Sequence, residues 1–369
     1  MASTEPAPPS QHQYPCRKCG ASLTFAPGTR SLVCPYCGED NAIAPDVQSV
    51  IQKLDFRQQL AALANAEPEH EVLTVKCTCC AAEATLPPNV TASVCPFCGT
   101  AIVATGASRR SIKPASLLPF KVKREEAMQA FRTWLASLWF APNGLFRAAE
   151  SNGVKGVYIP AWTYDSNTLT DYSGERGDDY QETETYTAYE NGQAVTKTRT
   201  VTKTRWYPVS GRVFDQFHDI LVLASESLPR KYADRLAPWD MENITAYTDE
   251  YLSGFVAESY QIDLAGGFDR AREIMDPTIR QTICRDIGGD HQRIGSTNTA
   301  YNDIKFEHLL LPVWISAYRY LEKTYHFLVN ARTGEVQGER PWSIWKIVIL
   351  IGVILLVIGI VSLLASMKH

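Results

Sequence analysis

The chain has 369 residues, enough for two or three domains, and a formal net charge of −4. With this slightly acidic net charge, the protein as a whole has no positive field that would attract nucleic acid. Eight of the ten cysteines form CxxC pairs, a spacing that favours metal binding in a reducing compartment over a disulfide framework.

The N-terminal third divides into short segments of contrasting composition. Residues 1–13 are polar and proline-rich, which predicts a disordered leader and lacks the apolar core of a secretory signal. Compact cysteine-bearing units are predicted at 14–45 and 72–105, with a helical spacer at 46–71 between them.

The two compact units repeat one pattern. Each holds two CxxC pairs with fourteen residues between them, and a shift of 61 carries the first set onto the second. The predicted metal ligands are Cys16, Cys19, Cys34, Cys37, Cys77, Cys80, Cys95 and Cys98. Cys79 lies outside the pattern and is spare.

Two CxxC turns brought together complete a tetrahedron of thiolates, the arrangement of zinc ribbons. We therefore expect two structural Zn²⁺ ions, one in each unit, with iron–sulfur ligation as the alternative. A site closed by four protein ligands is structural rather than catalytic. Neither unit carries a basic stripe, so contact with proteins is favoured over contact with nucleic acid.

Residues 106–340 predict an α+β domain. A helical pattern followed by a proline-entry strand occurs twice, and the motifs at 159–162 and 311–314 coincide at a shift of 152. This predicts two related lobes, at about 114–225 and 226–340, and a multidomain chain that is mainly β and α+β. The basic run at 108–124 is interpreted as a solvated connector or as a contact with anionic headgroups.

One segment of this domain alternates strictly. Residues 181–206 place threonines at every second position around Asn191–Gly192, which predicts a long β-hairpin. Both faces are polar, so the hairpin should project into solvent or meet a partner.

The last segment, 341–369, contains 21 uncharged residues, Ile347 to Met367. As a helix this run would span about 31 Å, which predicts a single-pass transmembrane anchor. The large N-terminal part would then lie in the cytoplasm, at the cytoplasmic (inner) membrane. Gly352, Gly359 and Ser366 recur every seven residues, which is compatible with a helix-packing face and a homo-oligomer formed through it; the alternative is that glycine is common in such helices without any packing role.

The sequence contains no phosphate-binding loop, no dinucleotide fingerprint, no nucleophile elbow and no HExxH motif. We therefore expect a protein that is not an enzyme.

These features together resemble bacterial membrane-anchored proteins with TFIIB-type zinc ribbons, some of which are called primosomal- or replication-helicase-like. The matching parts are both cysteine quartets, the final apolar segment and the stretches LLPF, GVYIPAW, LLLPVW and VNARTGEVQGERP. Some relatives resemble membrane components of envelope-stress systems that recruit scaffold proteins.

The resemblance implies a non-enzymatic zinc-binding adaptor that contacts other proteins at the cytoplasmic face of the membrane. A membrane-tethered zinc-ribbon protein that binds nucleic acid is the alternative. Helicase activity is not expected, because the chain has no Walker motif.

Overall fold

The computed structural model describes the chain in several stretches, and the statements below refer to them. They are residues 14–43, 51–65, 72–76, 83–85, 92–94, 101–103, 107–109, 112–139, 154–190, 193–320, 323–339 and 343–366. The helices are α1 (Phe56–Asn65), α2 (Arg124–Ser137), α3 (Arg230–Ala233), α4 (Leu264–Ile287) and α5 (Ile344–Ser366).

The strands of the first third are short. They are β1 (Thr24–Phe25), β2 (Ser31–Val33), β3 (Asp40–Ala42), β4 (Leu54–Asp55), β5 (Val72–Lys76), β6 (Glu83–Thr85), β7 (Ala92–Val94), β8 (Ala101–Val103) and β9 (Ala107–Arg109). The later strands include three very long ones. They are β10 (Ser116–Leu117), β11 (Lys155–Glu190), β12 (Gln193–Leu223), β13 (Thr245–Ala246), β14 (Val256–Ala257), β15 (His291–Tyr320), β16 (Lys323–Asn330) and β17 (Val336–Gly338).

One nine-stranded sheet organises the molecule. Its main path runs β12-β11-β15-β10-β13, and β4, β14, β16 and β17 pair alongside these strands. The three long strands are antiparallel: β12 and β15 flank β11. Strands of this length build a broad surface on which α1, α2, α3, α4 and the first cysteine unit pack.

The prediction of two α+β lobes is wrong. The proline-entry motifs at 159–162 and 311–314 lie on β11 and β15, which are neighbours in the same sheet, with Ile159 opposite Leu311. Strands of the predicted first and second lobes are thus hydrogen-bonded to each other, and the repeat marks two paired strands instead of two separate bodies.

The predicted hairpin is confirmed and is longer than expected. β11 and β12 pair from Ala161 opposite Leu223 as far as Glu190 opposite Gln193. β15 accompanies β11 only as far as Gly177, where it begins at His291. Within the described chain, the end of the hairpin is therefore two-stranded. We call this part, residues 180–190 and 193–203, the arm.

The arm reaches about 35 Å at the usual rise of a β-strand. Cross-strand ion pairs hold it: Lys203 Nζ lies 3.1 Å from Glu182 and 2.9 Å from Glu184, and Arg199 lies 3.1 Å from Glu184. Each such pair contributes about 0.2–1 kcal/mol, so the arm depends on several of them together with its backbone ladder.

Helix α4 covers one face of the sheet. Its apolar side chains recur at helical spacing and are buried against Trp162, Tyr164 and Tyr172 of β11. Asp263 caps its start by accepting from the Gly266 N–H at 2.7 Å. A proline inside a helix usually kinks or ends it, yet α4 is continuous through Pro277.

A second core lies between the sheet and the segment that contains α3, with Leu228, Ala233 and Leu236 buried there. The third core joins α2, the strands β15 and β16, and the first cysteine unit. In this core Phe131 of α2 stacks on Phe327 of β16, with ring centroids 3.5 Å apart. The cysteine unit therefore shares its interior with the sheet.

The predicted membrane anchor is corrected. Among the residues that the structure describes, none of the helices combines the length and the apolar character that crossing a bilayer needs. The transmembrane and single-pass assignments, membrane attachment by the C-terminal helix and the inner-membrane localisation that depended on it are not supported.

The packing face assigned to Gly352, Gly359 and Ser366 required a membrane-spanning helix, so it and the homo-oligomer built on it lose their basis. Open space surrounds the Cα atoms of Gly352 and Gly359 within the described chain.

Candidate metal centre

The first cysteine unit contains two turns of the same geometry. In one, the Gly20 N–H donates to the Cys16 carbonyl at 2.9 Å, and in the other the Gly38 N–H donates to the Cys34 carbonyl at 3.0 Å. Both glycines have a positive φ, +73° and +71°, a conformation that residues with a side chain rarely adopt. The glycine that follows each CxxC pair is therefore what allows the turn to close.

These turns bring four sulfur atoms to one point. Cys16 Sγ lies 3.6 Å from Cys37 Sγ, and Cys19 Sγ lies 3.4 Å from Cys34 Sγ. All four atoms lie within 4.8 Å of one another. A tetrahedron with metal–sulfur bonds of about 2.3 Å has edges of about 3.8 Å, so the spacing fits one metal ion. Cys16, Cys19, Cys34 and Cys37 could hold a single ion.

The electrostatics of the cluster favour a cation. The backbone N–H of Cys37 is the main cause that lowers the pKa of the Cys34 thiol, to about 6. The pKa of the Cys37 thiol is instead raised to about 12. A positive ion is therefore needed to hold all four groups as thiolates near neutral pH.

The cluster is closed on its inner side. Cys16 and Cys34 are 4% and 1% exposed, whereas Cys19 faces solvent. The ion pair between Lys18 and Glu39, at 3.7 Å, connects the two turns at the surface. With four protein ligands, no coordination position remains for a substrate, so such a centre would be structural.

The unit is attached to the large sheet by backbone bonds. The Phe25 N–H donates to the Ser253 carbonyl at 2.9 Å, and the Ser253 hydroxyl donates to the Leu23 carbonyl at 2.6 Å. Phe25 also meets Tyr251 edge to face, with centroids 5.1 Å apart. The sequence did not predict this attachment, because residues 251–253 carry no motif and become neighbours of the unit only in the folded chain.

The second predicted set, Cys77, Cys80, Cys95 and Cys98, lies outside the described residues. Of the five strands described in or directly after the second unit, two repeat a pairing of the first unit: β7 pairs with β8 as β2 pairs with β3. In the first unit Ser31 pairs with Ala42, and the residues 61 positions later, Ala92 and Val103, also pair. In the same way the pair Val33–Asp40 corresponds to the pair Val94–Ala101. The repeat in sequence is thus matched by a repeat in strand register.

No protein-family model matches the chain, and no solved structure matches it. It is similar to the uncharacterized protein YdjG of Bacillus subtilis (strain 168), with 27% identity over 335 residues. The alignment covers 90% of this chain and 91% of that protein. The similarity therefore extends over nearly the whole length of both chains, and the name of the relative states no function.

Proposed function

We propose that this protein is a non-enzymatic, zinc-binding adaptor whose projecting arm contacts other proteins. The observation that carries the proposal is the arm, which leaves the sheet as two strands. Aromatic side chains on it are exposed, including Tyr186 and Tyr189, the latter 78% exposed. Exposed tyrosines beside cross-strand charges are typical of surfaces that contact proteins.

The metal has a structural role in this proposal. Thiolates are soft ligands, and a set of four suits Zn²⁺, an ion without redox chemistry. The matched strand register of the two cysteine units supports a second Zn²⁺ at Cys77, Cys80, Cys95 and Cys98. The two ions would hold the units in shape, and the arm would supply the contact.

A shortened arm tests the proposal. Removing 182–190 and 193–201 joins Gln181 and Thr202, which are paired in the sheet, through the native Asn191–Gly192. We expect this variant to keep its zinc content and its melting temperature, because in the described part of the chain the deleted residues belong neither to the first cysteine cluster nor to the three cores. We expect it to lose partners that the full chain retains in affinity capture.

A photo-crosslinking residue distinguishes specific contact from general stickiness. It is placed at Tyr189 on the arm and, as the matched control, at Phe214, which is 55% exposed on the three-stranded part of the hairpin. Discrete crosslinked species at position 189 and none at 214 are expected. An unchanged captured set with the shortened arm, or equal crosslinking at both positions, would show that the arm is not the contact surface.

A further inference from the structure

A groove lies where the first cysteine unit meets the large sheet. Its walls are the loop at 24–29, the first turn of α2, the start of β11 and the segment 254–256. Its volume is about 720 Å³, within the range of sites that enclose a ligand of drug or short-peptide size. We call it the basic groove.

The floor of the groove is apolar and rigid. Phe255 and Trp314 line it, and Phe255 stacks on Phe120 with centroids 4.1 Å apart. The indole N–H of Trp314 already donates to the Val122 carbonyl at 2.9 Å. The ring surface turned toward the groove therefore offers apolar contact and no polar group.

The rim of the groove is cationic. Lys123, Arg124 and Lys155 line it with one carboxylate, Glu125, and a second carboxylate, Glu126, follows in the same helical turn. In the described part of the chain no carboxylate forms an ion pair with any of these three cations. Cations elsewhere in the molecule do have acidic partners, for example Arg280 with Asp276 at 2.7 Å. The rim thus carries one more positive than negative charge, in a protein whose net charge is −4.

The start of α2 adds to this charge. The helix begins at Arg124, and its first-turn N–H groups carry the positive end of the helix dipole. Glu126 accepts from the Lys123 N–H at 2.8 Å, so one of the terminal N–H groups is satisfied within the helix. A negatively charged side chain in the groove would therefore meet three side-chain cations and the helix end, beside the carboxylates of Glu125 and Glu126.

We infer that the basic groove binds a short acidic peptide segment of a partner protein, with apolar side chains on the aromatic floor and carboxylates at the cationic rim. Complementary charge selects the acidic partner, and the floor selects an apolar anchor. A single-stranded nucleic acid would compete for the same cations, and the oligonucleotide probe distinguishes it from a peptide.

The inference rests on the proposed role in protein contact. It adds the basic groove as a second contact surface beside the arm. The probe is a fluorescently labelled peptide of alternating glutamate and leucine, mixed with the full-length protein and followed by fluorescence anisotropy. A lysine–leucine peptide, a glutamate–serine peptide and a single-stranded DNA oligonucleotide are the comparison probes.

We expect the glutamate–leucine peptide to bind more tightly than all three comparison probes, with an affinity that falls as salt is added. The double variant Arg124→Glu/Lys155→Glu should weaken binding on the order of tenfold. Both positions are exposed, and an acidic residue is favoured in the first turn of a helix, so this variant should fold.

The matched control is Arg235→Glu/Lys305→Glu, which changes the net charge equally at exposed positions away from the groove. It should bind the probe as the unmodified protein does. Equal binding of acidic and basic peptides, equal loss in both double variants, or binding of the oligonucleotide with the same dependence on Arg124 and Lys155 would overturn the inference. The shortened arm separates the two proposals, since it removes the arm and leaves the groove intact.

Discussion

The backbone N–H of Gly28 donates to the carbonyl oxygen of Phe120 at 2.9 Å, which joins the loop of the first cysteine unit to the segment between β10 and α2. Gly28 has a φ of +82°, and a Cβ at this position would lie 3.2 Å from the Lys121 carbonyl oxygen. Conformation and contact both require glycine here, so the attachment of the unit depends on this residue.

Gly28→Ala should therefore destabilise the protein by about 2 kcal/mol, from the left-handed backbone and the close oxygen contact together. Gly334→Ala is the matched control, because Gly334 has a φ of +81° but open space around the added Cβ. Urea unfolding of both variants measures the difference. An equal loss in the two would show that the contact with the Lys121 carbonyl does not matter.

The metal content is expected to be two Zn²⁺ per chain. Cys34→Ser should leave one ion, in the second unit, and Cys95→Ser should leave one, in the first, because a tetrahedral site with three thiolates holds zinc less tightly. Elemental analysis of the purified protein measures the ratio. Cys79→Ser is the control and should keep both ions. A ratio of one in the unmodified protein would contradict the second site.

His308 should make stability depend on pH. Burial is the main cause that lowers its pKa, from 6.5 to about 4, and the side chain is 4% exposed. Its Nδ1 lies 2.7 Å from the Ile112 carbonyl oxygen, a contact that the neutral ring makes as the donor. In the unfolded chain the ring binds a proton more readily, so this group contributes stability above pH 6.5 that is lost as the pH falls toward 4.

The size of this effect is on the order of 3 kcal/mol. His308→Asn keeps a donor near the position of Nδ1 and removes the titration, so its unfolding free energy should change less between pH 6.5 and 4. His218→Asn, at an exposed position, should keep the slope of the unmodified protein. If the unfolding free energy of the unmodified protein and of His308→Asn changed equally with pH, His308 would not be the cause of the pH dependence.

Lys53 connects the segment before α1 to the sheet. Its Nζ lies 2.7 Å from both carboxylate oxygens of Asp165 and 2.7 Å from Asp219. Lys53 and Asp165 are 25% and 17% exposed, so Lys53→Met leaves a partly buried carboxylate without its cation. We expect a loss of about 1–3 kcal/mol.

Lys203→Met is the matched control, because Lys203 also bridges two carboxylates but is 42% exposed on the arm. Its replacement should cost about 0.5 kcal/mol or less. A cycle with Asp165→Asn should recover part of the Lys53→Met loss. Equal losses in the two lysine variants would mean that burial does not strengthen the Lys53 contact.

The sequence by itself determined the local features. The spacing of the CxxC pairs predicted two turns that converge on one metal, and Cys16, Cys19, Cys34 and Cys37 meet as expected. Strict alternation at 181–206 predicted the hairpin, and apolar spacing predicted α2. Each of these depends on residues close together in the chain, where periodicity and turn chemistry decide the structure.

Only the tertiary structure decided how these pieces join. The proline-entry motifs at 159–162 and 311–314 suggested two lobes, yet their strands pair with each other, because a strand can satisfy its hydrogen bonds with a distant segment as well as with a near one. The basic groove is formed in the same way, from residues 24–29, 123–125, 154–156 and 254–256. The periodicity of a single segment does not predict contacts between distant segments. Packing decides which segments come together, among many with similar local propensity.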